Sequence, residues 1–280
     1  MYAPPKVSRY LRTPIVPRRM KLDFDELLER GHVHPDNSIL TSMIATLSGL
    51  FPPGEREFIQ SVRLFMAEIH DPELLRQVEL FSRQEGHHAL QHRQVNAIFE
   101  QLGYCANKVA HMLEQEIERL TQERTREQRL AITVVMEHYT ASMAHFALSR
   151  PEHFDVLPPA MRELLFWHAI EEIEHKAVAF EVYDRCVGDR RLLRRIALIQ
   201  LFMFPWAVAG FQRMMLRDRG TRPSLAEFVD AGKFLLGRRG LFVSVLPQYL
   251  AMFRPDFHPW DIDDSELVTY WTERLTSVVN

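Results

Sequence analysis

Two kinds of residue are scarce in this chain, and each scarcity excludes a class of protein. Only two of the 280 residues are cysteines, Cys105 and Cys186. Neither has a CxxC partner, which argues against a disulfide framework and against a zinc–thiolate site. Glycine is also scarce, at 11 residues, and no strand-like alternation of apolar and polar residues persists for long. The sequence therefore predicts an all-α fold.

The chain has little net charge and no leader-like apolar segment near residue 1. The formal net charge is −3 at pH 7, so bulk electrostatics do not favour a nucleic-acid partner. Residues 1–21 lack the apolar core of a signal peptide, which predicts a cytoplasmic location. We expect residues 1–35 to form a basic, solvated arm, with contact to acidic membrane lipids as the less favoured alternative. Its basic side chains are Lys6, Arg9, Arg12, Arg18, Arg19 and Lys21.

Proline residues and capping signals divide the segment 36–189 into helices. A helix is predicted over 38–50, with a break at Phe51-Pro52-Pro53-Gly54. The charged residues 107–124 are predicted as a short exposed helix or a crossover. Four long helices form two pairs with a longer connection between them, which is the layout of a ferritin-like four-helix bundle. These helices are predicted over 53–70, 72–102, 125–149 and 158–187.

Residues 190–280 differ in character and are predicted to form an apolar helical extension that packs on the bundle. The stretch 196–211 contains 16 residues, of which only Gln200 is polar, and arginines flank it on both sides. It is short for a bilayer span, which needs roughly 20 residues, and Pro205 interrupts it. The favoured interpretation is a buried helix. The alternative is an interfacial or re-entrant membrane segment within 196–253.

Two Glu-x-x-His motifs lie 87 residues apart, each inside a predicted helix. They are Glu85-x-x-His88 and Glu172-x-x-His175. This spacing places the carboxylate and the imidazole on one helix face, one turn from each other. Two such helices, each with a partner helix that supplies one more Glu, make the di-metal site of a ferritin-like bundle.

The partner carboxylates are predicted from the apolar faces of the other two helices. Glu137 shares a face with apolar residues, where an unpaired carboxylate is costly unless it is hydrogen-bonded, protonated or bound to metal. Glu55 leads the apolar face of the 53–70 helix. It lies 30 residues before the first motif, much as Glu137 lies 35 residues before the second. Glu57 and Glu68 are the alternatives to Glu55, although either could be a surface acid.

Three further side chains extend the candidate site. His168 precedes Glu172 by four residues on the same face, so it is either a third imidazole ligand or the partner of a ligand carboxylate. His92, four residues beyond His88, is expected beside a ligand more often than on a metal. Glu171 lies off the main face of its helix. It precedes His175 by four residues, however, so it would replace Glu172 as the ligand if the predicted helix register were wrong by one residue.

The candidate ligands are therefore four carboxylates and two or three imidazoles. A mixed oxygen and nitrogen set without thiolate suits iron or manganese, with zinc possible. Carboxylates can bridge two metal ions held roughly 3.5–4 Å apart. We expect two metal ions, preferably iron, on Glu55, Glu85, His88, Glu137, His168, Glu172 and His175.

Several longer motifs carry a family resemblance that covers the chain from about residue 12 to 275. The chain resembles the bacterial family named "predicted metal-dependent hydrolase", a ferritin-like group. More distantly, His168-x-x-x-Glu172-x-x-His175 is similar to the ligand pattern of di-iron arylamine N-oxygenases, which implies O₂ chemistry. The family motifs are Phe51-Pro52-Pro53-Gly54-Glu55, Gln84-Glu85-x-x-His88-x-x-x-His92, Glu137-His138, the Trp167–Ala177 segment and Phe257-His258-Pro259-Trp260.

Three functions are compatible with these residues. The main hypothesis is O₂-dependent oxidation of a small organic substrate at two irons, which needs an electron-donor protein. The alternative is a metal-dependent hydrolase in which two metals activate a water molecule. The third is non-enzymatic iron binding or storage, which the C-terminal extension argues against because storage bundles are usually smaller. An apolar substrate and a homodimer are compatible with the enzymatic hypotheses.

Overall fold

The computed structural model describes residues 13–35 and 37–279, so Lys6, Arg9 and Arg12 lie outside the described residues. The prediction of an all-α fold is confirmed, with one two-stranded antiparallel pairing of β1 (Arg19–Met20) and β2 (Val278–Val279). The helices are α1 (Asp25–Arg30), α2 (Ser38–Arg63), α3 (Pro72–Gln101), α4 (Ala106–Glu123), α5 (Arg126–Ser149), α6 (Pro159–His175), α7 (Val178–Cys186), α8 (Arg190–Asp218), α9 (Leu225–Leu236), α10 (Leu241–Leu250) and α11 (Ser265–Thr272).

The helices predicted at 38–50 and 53–70 are one continuous helix, so the predicted break between them is wrong. α2 runs through Pro52 and Pro53 and ends at Arg63. A proline inside a helix leaves the carbonyl four residues earlier without its N–H donor. Asn96 Nδ2 on α3 donates a hydrogen bond of 3.1 Å to the Ser48 carbonyl, the one that Pro52 frees. The neighbouring helix thus replaces the lost backbone bond.

The other long helices follow the predictions closely, with one division. α3 and α5 match the predicted 72–102 and 125–149 within one residue at each end, and α4 matches the exposed segment predicted at 107–124 equally closely. The predicted 158–187 helix is divided after His175 into α6 and α7. At this division the buried Lys176 ammonium donates to the Ile262 carbonyl and to the Asp264 carboxylate, which anchors the C-terminal segment there.

The long helices pack as two pairs. α2 lies along α3 and α5 lies along α6, and the pairs meet where α2 contacts α5 and α3 contacts α6. A continuous apolar core that includes Val62, Phe81, Val134 and Val182 fills the interior at the α7 side. Each pair of helices therefore presents one face to the same central space, where the candidate ligands lie.

Gly49 of α2 packs closely against the start of α4. A Cβ atom there would lie 2.7 Å from the Ala106 carbonyl oxygen and 3.1 Å from Val109 Cβ of α4. Because a backbone atom cannot rotate away, we expect Gly49→Ala to lower the free energy of unfolding by about 1–3 kcal/mol. Urea unfolding measures this. Gly54→Ala in the same helix is the matched control, since nothing lies within 4 Å of its Cβ position, and equal effects would contradict the argument.

The described part of the N-terminal arm is folded onto the bundle, so the prediction of a solvated arm is wrong for these residues. Ile15, Arg18, Met20 and Phe24 are buried. β1 pairs with β2, and the Lys21 N–H donates to the Ser277 carbonyl over 2.9 Å, so this segment is held by the other end of the chain. The physical reason is that Arg18 meets buried carboxylates on α6, described below.

The C-terminal extension packs on the bundle through one side of α8 only. Leu193, Ile196, Ala197 and Met215 are buried, and α8 contacts α2 and α5. Its other side carries large apolar side chains in contact with solvent. The expectation of a buried helix therefore holds for the inner face and fails for the outer one. Within the described residues, α8 is the one helix long and apolar enough to cross a membrane by length and composition.

Candidate metal centre

Four helices bring the seven predicted ligands into one buried cluster. Both motifs project inward from their helices, and each single glutamate projects from the paired helix, as the spacing predicted. All seven side chains are buried, and none is more than 5% exposed. The predicted ligands are Glu55 on α2, Glu85 and His88 on α3, Glu137 on α5, and His168, Glu172 and His175 on α6.

One half of the cluster surrounds His175. Its Nε2 atom lies 3.0 Å from Glu85 Oε1, 3.4 Å from Glu137 Oε2 and 3.7 Å from Glu172 Oε2. Glu85, Glu137 and His175 each offer one ligand atom within 4.8 Å of the others, which is close enough to share a metal ion.

The other half of the cluster surrounds His168. Its Nε2 atom lies 2.9 Å from Glu172 Oε1 and 3.7 Å from Glu55 Oε1. Glu55, His88 and His168 form a second group that could hold a metal ion. A third group of Glu85, His88 and Glu172 shares one residue with each of the other two, so the halves are contiguous.

The atoms that face the centre of the cluster make no hydrogen bonds, although they are buried. Buried polar atoms are nearly always hydrogen-bonded, and a metal ion would satisfy all of these at once. The donors are carboxylate oxygens and imidazole nitrogens, which fit iron, manganese or zinc. The unbonded atoms are both carboxylate oxygens of Glu55, Glu85 and Glu137, together with His88 Nδ1, Glu172 Oε2 and His175 Nε2.

Burial and mutual repulsion shift the pKa values of the cluster. Burial, reinforced by the charges of Glu85 and Glu172, raises the pKa of Glu55 and of Glu137 well above the usual value. Burial alone would raise the pKa of Glu172, but the adjacent imidazoles of His168 and His175 outweigh it and hold that pKa well below the usual value. The metal-free cluster therefore keeps protons on its outlying carboxyls, and metal binding would release them.

Comparison with known proteins agrees with this chemistry. A family model described as "Predicted metal-dependent hydrolase" matches residues 16–263. The chain belongs to this family. The resemblance to this family that the sequence motifs indicated is confirmed over nearly the same range, whereas the comparisons do not show the similarity to di-iron N-oxygenases. No protein of curated function and no solved structure matches the chain.

In this member of the predicted metal-dependent hydrolase family, hydrogen bonds fix the tautomer of His168. Asn96 Nδ2 donates to a carbonyl, so its Oδ1 accepts, and Ser48 Oγ must donate to it over 2.6 Å. Ser48 Oγ can then accept the His92 Nδ1 proton over 3.0 Å. Neutral His92 accepts through Nε2 from His168 Nδ1, 2.8 Å away. His168 Nε2 is left as a lone pair aimed at the cluster, and His92 supports His168 from outside it.

The imidazoles of His88 and His175 are also held by hydrogen bonds at the ring nitrogen that faces away from the cluster. His88 Nε2 lies 3.1 Å from Glu171 Oε2, so Glu171 holds a ligand imidazole instead of replacing Glu172. His175 Nδ1 donates to Gln84 Oε1 over 2.9 Å. Such partners orient metal-binding imidazoles and make them more basic.

Arg18 joins these outer contacts into one network. Its guanidinium donates to Glu174 Oε1 over 2.7 Å and to Glu171 Oε1 over 3.4 Å, and its backbone N–H donates to Glu171 over 2.8 Å. Gln84 Nε2 also donates to Glu174, over 2.8 Å. Burial raises the pKa of Glu171 to about 8 even though Arg18 opposes the shift. One arginine therefore contacts the carboxyl groups behind both imidazoles.

The sequence analysis does not predict this network, although it predicts the residues that form the cluster. Arg18 belongs to the segment predicted as a solvated arm, and Glu174 is not among the predicted site residues. Among the alternatives to Glu55, Glu57 pairs with Arg129 and Glu68 pairs with Arg126, away from the cluster. The only local signal was the three-residue spacing of Glu171 and Glu174, which places both on a second face of α6.

An apolar cavity of about 140 Å³ reaches the cluster. His92, His168 and Glu172 line it at the ligands, and apolar side chains of α2, α5 and α6 form most of the remaining wall. Phe234 and Leu241 of the extension complete the wall. The cavity suits a small molecule with few polar groups, since a polar one would lose its hydrogen bonds to water there.

Proposed function

We propose that the cluster holds two metal ions and that the protein hydrolyses a small, largely apolar substrate such as an ester or an amide. The observation that carries the proposal is the division of the unbonded ligand atoms into two contiguous groups. Membership of the predicted metal-dependent hydrolase family supports hydrolysis over other metal-dependent chemistry.

The chain provides a separate ligand set for each ion in this proposal. Glu55, His88 and His168 would hold one ion, and Glu137 and His175 would hold the other. Glu85 and Glu172 lie between the halves and would contact both. Two ions in such a site supply a water molecule activated at neutral pH and polarise the bond to be cleaved.

The protein's own groups bind the substrate and control protons. The apolar cavity removes bulk water from the substrate and places its reactive bond beside Glu172 and His168. His92 holds the proton at His168 Nδ1 and so keeps His168 Nε2 available as a ligand. Arg18, through Glu171 and Gln84–Glu174, holds the other two imidazoles in their orientations.

A second candidate function is O₂-dependent oxidation of the same kind of substrate at two irons. The observation that favours it is His168, whose position in a metal-competent group gives one half of the cluster more nitrogen than the other. This function would require an electron-donor protein. It would use the same apolar cavity, because a dry site protects reactive species from water.

Elemental analysis together with an oxygen-dependence assay tests these proposals. We expect two equivalents of iron, manganese or zinc per chain after reconstitution, and cleavage of p-nitrophenyl esters at the same rate with and without O₂. If the protein consumes O₂ with added reductant and cleaves no ester or amide, the proposed function becomes oxidation instead of hydrolysis. The two-metal site would be overturned if the wild-type protein bound one metal ion or none per chain and Glu137→Gln bound as much metal as the wild type.

Filling the cavity should separate substrate binding from metal binding. Ala147 of α5 lines the cavity, and leucine would occupy part of its volume. We expect Ala147→Leu to raise KM at least tenfold for the best ester while the metal content stays the same. Ala97→Leu, at an exposed position of α3, is the control. Unchanged KM in a correctly folded Ala147→Leu protein would show that substrate enters elsewhere.

A further inference from the structure

The outer face of α8 is an exposed apolar stripe. Leu198, Ile199, Phe202, Met203 and Trp206 are between 41 and 80% exposed. Residues 198, 202 and 206 follow each other at four-residue spacing, with 199 and 203 beside them, so all five share one side of the helix. Single exposed apolar residues need no explanation, whereas a contiguous stripe of this size indicates an interaction surface.

The inner face of α8 is fixed to the bundle. Tyr249 Oη of α10 donates to the Ala197 carbonyl over 2.7 Å, and Gln212 Nε2 donates to the Ile39 carbonyl of α2 over 2.7 Å. A helix that crosses a bilayer is surrounded by lipid or by other apolar helices along its length. α8 instead has protein on one side and an apolar face on the other, which suits a helix lying in the plane of a membrane surface.

Arginines lie at both ends of the same face. Arg191 and Arg195 precede the apolar stripe, and Arg213 and Arg217 follow it, all exposed. Within the part of the chain that the structure describes, no carboxylate pairs with Arg191, Arg195 or Arg213, while Arg217 contacts Asp218. The apolar stripe is therefore flanked by positively charged side chains at both of its ends.

Positive charge is concentrated in the whole extension. Residues 190–254 contain 12 lysines and arginines and three acidic residues, although the full chain has a net charge of −3. Each of the three acids has a local partner: Asp218 contacts Lys108, Asp230 contacts Lys233, and Glu227 accepts from Ser38. The excess of negative charge in the protein therefore lies outside residues 190–254.

Helices α9 and α10 extend the apolar surface. Leu225, Phe228 and Leu236 of α9 and Leu246 of α10 are exposed. Phe228 lines the same surface groove as Arg213 of α8, and α10 is bonded to α8 through Tyr249. Phe228 and Tyr249 therefore place parts of α9 and α10 next to α8.

We propose that the outer face of α8 docks the protein on an anionic lipid bilayer, with α8 parallel to the membrane plane. The apolar stripe enters the boundary between headgroups and acyl chains, and the arginines at its ends contact acidic headgroups. A second copy of the chain would fit the apolar stripe, but it would bring the same unpaired arginines together. Anionic lipid satisfies both features. The proposal does not depend on the identity of the metal or the reaction.

Tryptophan fluorescence provides a direct test, because Trp206 is 80% exposed while Trp167, Trp260 and Trp271 are buried. We expect the full-length protein to float with extruded vesicles of phosphatidylcholine and phosphatidylglycerol, with a blue shift of its emission. Vesicles of phosphatidylcholine alone should bind at least tenfold less protein, and high salt should release it by screening. Trp206→Phe should still float but should show no blue shift.

Surface variants separate docking from general stickiness. Phe202→Ser/Trp206→Ser should lower the vesicle partition coefficient at least tenfold. Leu64→Ser/Leu90→Ser, which changes two exposed apolar residues of the bundle, is the matched control and should leave it unchanged. Equal partition of both variants, or no flotation with either vesicle, would overturn the proposal. A blue shift that depends on protein concentration without vesicles, with a doubled mass, would assign the face to a second copy instead.

Discussion

Glu172→Ala is expected to abolish metal binding and to lower activity at least 100-fold. The Glu172 carboxylate reaches both halves of the cluster, with Oε1 3.7 Å from His88 Nδ1 and Oε2 3.7 Å from His175 Nε2. Its removal would take a predicted ligand from each half of the cluster, whereas loss of an outer partner alone typically costs 10–100-fold in metal affinity or activity. Metal content after gel filtration and the rate of ester cleavage measure the effect. Two bound metals in Glu172→Ala would contradict the assignment of this residue.

The Glu137→Gln variant is expected to bind less metal and to be more stable than the wild type in the metal-free form. Burial and nearby carboxylates raise the pKa of Glu137, so ionised Glu137 is unfavourable in the metal-free protein. Glu137→Gln should therefore raise the free energy of unfolding of the metal-free form by about 1 kcal/mol. Thermal unfolding in chelator measures this. A lower midpoint than wild type would show that the cluster is not poised for a metal.

Arg18→Met is expected to weaken both halves of the site although Arg18 contacts neither. Removing one member of a buried ion pair costs about 3–5 kcal/mol of stability, because Glu174 loses its counter-charge and Glu171 loses a hydrogen-bond donor. The loosened imidazoles should reduce metal affinity by about 10–100-fold. Competition with a chelator at a temperature where the variant stays folded separates the two effects.

Two neighbouring variants make the Arg18 test specific. Arg18→Lys keeps the charge but cannot donate to both carboxylates with the fork of a guanidinium, so we expect partial recovery of metal affinity. Arg19→Met, at the next and exposed position, should behave as wild type. Equal metal affinity in Arg18→Met and wild type would restrict Arg18 to a structural role.

The residues of the buried cluster could be predicted because helices convert sequence spacing into a shared face. The Glu-x-x-His motifs are local, and Glu55 and Glu137 interrupt apolar faces that periodicity reveals. Arg18 could not be predicted, since its partners lie 153 and 156 residues away and nothing local marks the contact. The helix through Pro52 was missed for the same reason, because the compensating donor comes from Asn96.

The C-terminal extension shows a different limit of sequence reasoning. The residues 196–211 are almost uniformly apolar, so composition and periodicity do not distinguish the packed side of α8 from the open side. Only the placement of α8 against α2 and α5 shows that Ala197 is covered and Trp206 is not. Packing between distant segments therefore decides what this apolar stretch does.

The pairing of β1 with β2 has a consequence for how the protein is made. The segment that carries Arg18 leaves the ribosome early, yet it is secured by residues 278–279. Glu163 of α6 also accepts hydrogen bonds from Thr276 and Ser277, so the same closing residues attach to the helix of the second motif. In a nascent chain the predicted ligands and their hydrogen-bond partners on α3 and α6 are therefore made well before the residues that secure the Arg18 segment. The contacts of Arg18 with α6 gain the support of β2 only once residues 278–279 have been synthesised.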